Sequence, residues 1–114
     1  MELVCEDLND VRLIKVREDR IDAAVAIQFK DRMREETEDG PPRVLLDMSR
    51  VNFLDSSGIG AVVAAKKQLG PERALELAGL TPAVEKVFRL TRLDSVFTIH
   101  ADVAAATANA QQAG

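Results

Sequence analysis

The period of the apolar positions changes several times along the chain. Two short apolar runs come first, Leu3-Val4-Cys5 and Val11-Arg12-Leu13-Ile14-Lys15-Val16, with the polar pair Asn9-Asp10 between them. Such a pair between two runs favours a tight turn, so the pattern predicts a β-hairpin. From Asp22 to about Glu38 the spacing becomes helical. Ala26, Phe29 and Met33 share one face there, and Asp31, Arg32, Glu35 and Glu36 lie elsewhere. Asp22 is the expected N-cap of this helix, and Gly40-Pro41-Pro42 ends it.

Val44-Leu45-Leu46-Asp47-Met48 is nearly continuous in apolar character, as in a central parallel strand covered on both faces. A loop through Ser49 to Leu54 leads to Asp55-Ser56-Ser57-Gly58. Beyond it Ile59, Val62, Val63 and Leu69 recur at helical spacing until Gly70-Pro71. The serines are therefore expected at a helix N-terminus, with the helix starting near Ser57. Ala74 to Ala78 reads as a short strand. Pro82 opens a helix carrying Val84, Val87 and Phe88 on one face, and Ser95 to Ile99 reads as the last strand. The alanine-rich tail favours a helix over 102–112, whose packing energy is expected to be small because Val103 is its one large apolar side chain.

The resulting order is β-β-α-β-α-β-α-β-α. Alternation after the hairpin implies an α/β fold with a mixed, mostly parallel sheet and helices packed on it. The 114 residues fit one domain, 1–114, with a core expected over about 3–105.

Composition narrows the function classes. Apolar residues are 46% of the chain and charged residues 30%, which favours unaided folding. The net charge is −4 and the 15 Lys and Arg are scattered, so a basic footprint for nucleic acid is not expected. One cysteine, Cys5, cannot form an intrachain disulfide or a thiolate metal site. His100, the one histidine, reads as a surface residue near a strand end, and no cofactor or metal is expected. The acidic N-terminus is unlike a signal peptide, and no apolar run approaches the roughly 18 to 20 residues of a membrane span, so a cytoplasmic, non-membrane protein is expected.

Asp55-Ser56-Ser57-Gly58-Ile59-Gly60 places two hydroxyls, a carboxylate and two glycines on one turn. Read from residues alone, four explanations compete. Ser and Asp cap helix N-termini, and glycine permits close helix–sheet packing. A phosphate cradle would use Gly58 and Gly60, but Val63 stands where a dinucleotide fingerprint needs a third small residue. A nucleophile elbow requires Gly-x-Ser-x-Gly, whereas Leu54 and Asp55 precede the serines by two positions and His100 is the only imidazole base. A regulatory phosphosite needs only an exposed serine that another protein's active site can reach. With no base or metal constellation recognisable beside the serines, an independent enzyme is not expected.

The stretch from Val44 to Gly60 resembles the signature of the STAS domain, specifically of the bacterial anti-sigma factor antagonists. Leu80 to Leu90 is similar to the third helix of that family, and the Asp22 region to the stretch before its first helix. Family members often read Gly-x-Leu-Asp there, where this chain has Asp19-Arg20-Ile21-Asp22. The resemblance implies a STAS fold and a phospho-switch at Ser56. It implies that the unphosphorylated protein binds an anti-sigma factor that is also a serine kinase, and that the kinase holds the ATP. A sigma factor is thereby released, and a PP2C-type phosphatase resets the phosphorylated form. Asp22, Asp47, Asp55, Ser57, Gly58, Ile59 and Gly60 would surround the phosphosite, with Ser57 as the cap or a loop-supporting hydroxyl. A non-switching subunit of a lipid-transport or stress-signalling assembly is the alternative that the same resemblance allows.

Overall fold

The computed structural model describes residues 1–113, with side chains described through residue 108. Its elements are β1 (Leu3–Leu8), β2 (Val11–Val16), β3 (Arg20–Ile21), α1 (Ala26–Glu36), β4 (Arg43–Asp47), β5 (Phe53–Leu54), α2 (Ser56–Leu69), β6 (Ala74–Ala78), α3 (Pro82–Leu90), β7 (Thr98–His100) and α4 (Val103–Ala113). The main sheet runs β1-β2-β4-β6-β7. β1 and β2 form the expected antiparallel hairpin, and β2/β4, β4/β6 and β6/β7 are parallel.

Strand alternation sends side chains to two differently built faces. Ile14, Val16, Val44, Leu46, Leu75 and Leu77 meet Phe29, Met33, Val62, Val84 and Phe88 from the first three helices in the larger core. Val11, Leu13, Leu45 and Ala78 face the other way, where Ala106 and the partly buried Val103 of α4 cover them. The tail helix thus closes the second face of the sheet despite its small side chains, and Thr107 is fully buried with it.

Between the apolar residues of that second face lies a buried ionic cluster. Arg43 donates two hydrogen bonds to the Glu76 carboxylate, at 2.8 and 2.7 Å, and one to the carbonyl of Ala106 at 3.1 Å. The His100 ring nitrogen Nε2 lies 2.7 Å from Glu76 Oε1. His100 is accordingly a half-buried partner of Glu76, not the surface residue its place in the sequence suggests. The Arg43 guanidinium, with His100 adding to it, holds the Glu76 carboxyl below its ordinary range. A depressed carboxylate stabilises the fold above its unfolded pKa of about 4.3, and that contribution fades as pH falls through the folded value. Thermal melts should therefore show a gap between wild type and Glu76→Gln that is widest near neutrality and narrows below about pH 4.3. A gap independent of pH would contradict the assignment.

Three local expectations are corrected. α1 begins at Ala26, not at Asp22, and ends at Glu36. Asp22 instead heads a turn: its carboxylate accepts from Ala24 N–H at 3.1 Å, and its carbonyl accepts from Val25 and Ala26 at 3.0 and 2.9 Å. The Ala23 N–H donates to the Asp55 carboxylate at 3.0 Å. The last strand is Thr98–His100 and not Ser95 to Ile99, because the chain first makes a 3-10 turn at Leu93–Ser95. Phe97 leaves that turn to pack against Phe88, with ring centroids 5.9 Å apart. The third correction is at Phe53–Leu54, expected within a loop, which forms β5 and pairs with the short strand β3 to set the geometry of the next site.

Candidate functional site

β3 and β5 are two residues each and pair in parallel, Arg20 with Phe53 and Ile21 with Leu54. The next residue of each strand is an aspartate, so the register delivers Asp22 and Asp55 side by side. Ile21 and Leu54 are buried and anchor the pair in the core. Arg20 and Phe53 are exposed, with the guanidinium carbon 5.2 Å from the ring centroid. A signal was present in the chain: Arg20-Ile21-Asp22 and Phe53-Leu54-Asp55 both read as an exposed residue, a buried aliphatic and an aspartate. Two residues are too few for a period to stand out.

Asp55 is the N-cap of α2. Its backbone is extended, its carbonyl accepts from Ile59 N–H at 3.0 Å, and its carboxylate accepts from Gly58 N–H at 2.9 Å. α2 accordingly starts at Ser56 rather than near Ser57, and neither serine is the cap. The other carboxylate oxygen takes the Ala23 N–H, so one side chain ties the start of α2 to the turn before α1. These backbone N–H groups, Gly58 first, hold the Asp55 carboxyl below the usual carboxylate range.

Gly58 makes the two loops fit. A Cβ there would run into the backbone carbonyl of Ile21 and come within 3.1 Å of Leu54 Cδ2, so only glycine lets α2 seat against β3. With Asp55 occupied as cap, Ser56 and Ser57 occupy the first two helical positions. Both are exposed, and no hydrogen bond among the described residues engages either hydroxyl. Ile59 packs partly against the core, and Gly60 is exposed one turn after Ser56.

The expected surroundings are therefore gathered in part. Asp22, Asp55, Ser56, Ser57, Gly58, Ile59 and Gly60 form one continuous platform. Asp47 ends β4 with its side chain on the face of Leu45, the face that α4 covers, and accepts from Ser49 N–H at 3.0 Å. It braces the loop that follows β4 and takes no hydrogen bond from the platform residues. His100 also stands on the α4 face, opposite α2, and its Nε2 is engaged by Glu76. The nucleophile-elbow geometry thus fails on placement as well as on motif.

Among the described residues no group of three His, Cys, Asp or Glu could hold a metal ion, and no helix is long and apolar enough to cross a membrane. Cys5 lies on the edge strand β1 and donates to Glu36 at 3.2 Å. Burial, followed by that carboxylate, pushes its thiol up to about 11, which makes it a poor nucleophile near neutrality.

Residues 3–106 match the model of the STAS domain family. A Bordetella bronchiseptica protein, BtrV, named as an anti-sigma factor antagonist, is 30% identical over 94 residues, covering 82% of this chain and 81% of its own. The crystal structure of an anti-sigma factor antagonist from Mycobacterium paratuberculosis superposes with a TM-score of 0.81 at 27% identity, covering 98% of this chain and 92% of that one. The phosphorylated form of the Bacillus cell-fate determinant SpoIIAA shares the fold, with a TM-score of 0.69, 19% identity and coverage of 95% and 98%.

Proposed function

The chain belongs to the STAS domain family, and from that premise we propose that it acts as an anti-sigma factor antagonist switched by phosphorylation of Ser56. The unphosphorylated protein binds an anti-sigma factor that doubles as a serine kinase, and a sigma factor is set free. Transfer of the γ-phosphoryl group of kinase-bound ATP to the Ser56 hydroxyl ends that binding, and a PP2C-type phosphatase restores it. The protein is a cytoplasmic substrate and ligand, not itself an enzyme.

One observation supports a phosphosite on this turn: Ser56, like Ser57, is exposed with an unengaged hydroxyl on a platform fixed by Asp55 and Gly58. The family resemblance, which puts the phosphate on the first serine of the turn, selects Ser56. A kinase needs an acceptor held still and open to solvent, and the cap supplied by Asp55 frees the hydroxyl for that task. The added phosphate carries about −1.5 to −2 charges at pH 7, and a helix N-terminus accommodates such charge without unfolding. Asp55 and Asp22 lie beside it, so the modified face becomes strongly negative and costly to desolvate against a complementary partner.

The test is incubation with the anti-sigma factor kinase and radiolabelled ATP. Wild type is expected to take up phosphate and lose the kinase, whereas Ser56→Ala should stay bound and unlabelled. Equal label in wild type and Ser56→Ala would refute the assignment.

A further inference from the structure

Among the described residues the large apolar side chain left most in water is Leu90, 72% exposed at the end of α3. Val84 and Phe88 turn one side of α3 into the core. The helical period then sends Glu85, Lys86, Arg89 and Leu90 outward as one band. β6 and β7 are parallel, so α3 runs from their C-terminal ends, where the Ser56 platform lies, back toward their N-terminal ends. Leu90 is roughly 12 Å along the helix from Pro82, at the end away from the platform.

Beside this band lies a surface hollow of about 270 Å³. Phe88 and Ile99 are its apolar lining, and Glu85, Arg89 and Asp94 its polar lining. Small-molecule sites are larger, at roughly 300 to 1,000 Å³, and a hollow below that range suits a single side chain. The charges around it are only partly matched. Arg89 lies 3.4 Å from Glu85, both well exposed, in a surface pair that contributes little. Lys86 and Asp94 are exposed and form no ion pair among the described residues. One surface therefore carries an apolar knob, an apolar hollow and unmatched charges of both signs. Such a face is complementary to itself, which is what a two-fold contact between identical chains requires.

We infer that α3 and the turn after it form a two-fold interface with a second copy of this chain, the two α3 helices crossing antiparallel. Leu90 of each copy enters the hollow beside Phe88 and Ile99 of the other. An antiparallel crossing sets the early residues of one helix against the late residues of the other. Lys86, one turn before Leu90, is thereby brought to Asp94 of the other copy, and each unmatched charge gains a partner. The contact is small, so the dimer is weak and reversible. Both Ser56 platforms stay open in it, because α3 leads away from them.

Sedimentation equilibrium from low to high protein concentration tests this, with thermal melts at low concentration as the check on folding. Wild type should pass from monomer to dimer as concentration rises. Leu90→Ser should keep the wild-type melting temperature and weaken the dimer about tenfold, as loss of a central apolar anchor does. Lys86→Glu and Asp94→Lys should each weaken it severalfold, and the two substitutions together should restore most of the loss. A wild type that stays monomeric throughout would overturn the inference, as would a dimer that Leu90→Ser leaves unchanged. Absence of rescue in the double variant would overturn the antiparallel pairing. A monomeric wild type whose affinity for the anti-sigma factor kinase falls with Leu90→Ser would overturn the inference in favour of that partner on this face.

Discussion

Ser56→Asp is expected to bind the anti-sigma factor kinase about a hundredfold more weakly than wild type while remaining folded. A factor of that size is about 3 kcal/mol, within what one uncompensated charge buried at an interface costs. The substituted carboxylate lies at the first position of α2, where acidic groups are favoured by the helix dipole, so the isolated domain has little reason to unfold. The cost arises only on docking. Asp55 already takes the Gly58 and Ala23 N–H groups, so a second carboxylate in the same turn finds those donors spent and must shed its water to enter the interface. Titration of the kinase with both proteins, alongside melts that match within a few degrees, would establish the effect. Wild-type affinity for Ser56→Asp would show that charge at this position does not operate the switch.

Gly58→Ala should lower stability by about 3 kcal/mol, the upper range for forcing a group into a filled site. For a chain of this length that corresponds to a fall of roughly 10 °C in melting temperature. The added methyl meets the Ile21 carbonyl, a backbone atom that cannot rotate away, and β3 would have to separate from α2 to make room. The better helix propensity of alanine returns only about 1 kcal/mol. Loss of the Asp55 cap would cost a similar 1 kcal/mol, so the clash, not the cap, dominates the energetics of this turn. The contrast with Gly60, where the same added methyl is free of contacts, separates a glycine kept for the fold from one that the fold does not need. A Gly58→Ala protein as stable as wild type would mean that α2 seats differently against β3.

The parts of the fold legible in the chain are those with a sustained period. The hairpin, the apolar run of β4, the helical spacing of α2 and the proline at the start of α3 all lie where the pattern puts them. Ala74–Ala78 is a strand with the anticipated bounds. The Asp55–Gly60 turn was legible as a turn, but not its wiring. That Asp55 and neither serine caps α2 rests on its bond from Gly58, three residues on, but that Asp55 also holds Ala23 depends on a hydrogen bond between residues 32 apart. No local pattern encodes such a bond. The pairing of β3 with β5 was hidden by shortness, and the delayed start of α1 follows from it. The cluster of Arg43, Glu76 and His100 was missed for a different reason: each is a polar residue in or beside a short strand. Only the sheet register reveals that two of the strands that carry them are neighbours, and that the third lies next in line. Asp47 illustrates the converse. It lies close to the platform in sequence, yet strand alternation turns it to the opposite face.

The central claim, that Ser56 is the residue on which binding turns, is tested most directly by mapping the modification. The protein is incubated with the anti-sigma factor kinase and ATP, digested, and its phosphopeptides are sequenced by mass spectrometry. Phosphate confined to Ser56, with its appearance tracking release of the kinase, is the predicted result. Phosphate on Ser57, or release of the kinase with no phosphate on either serine, would contradict the account.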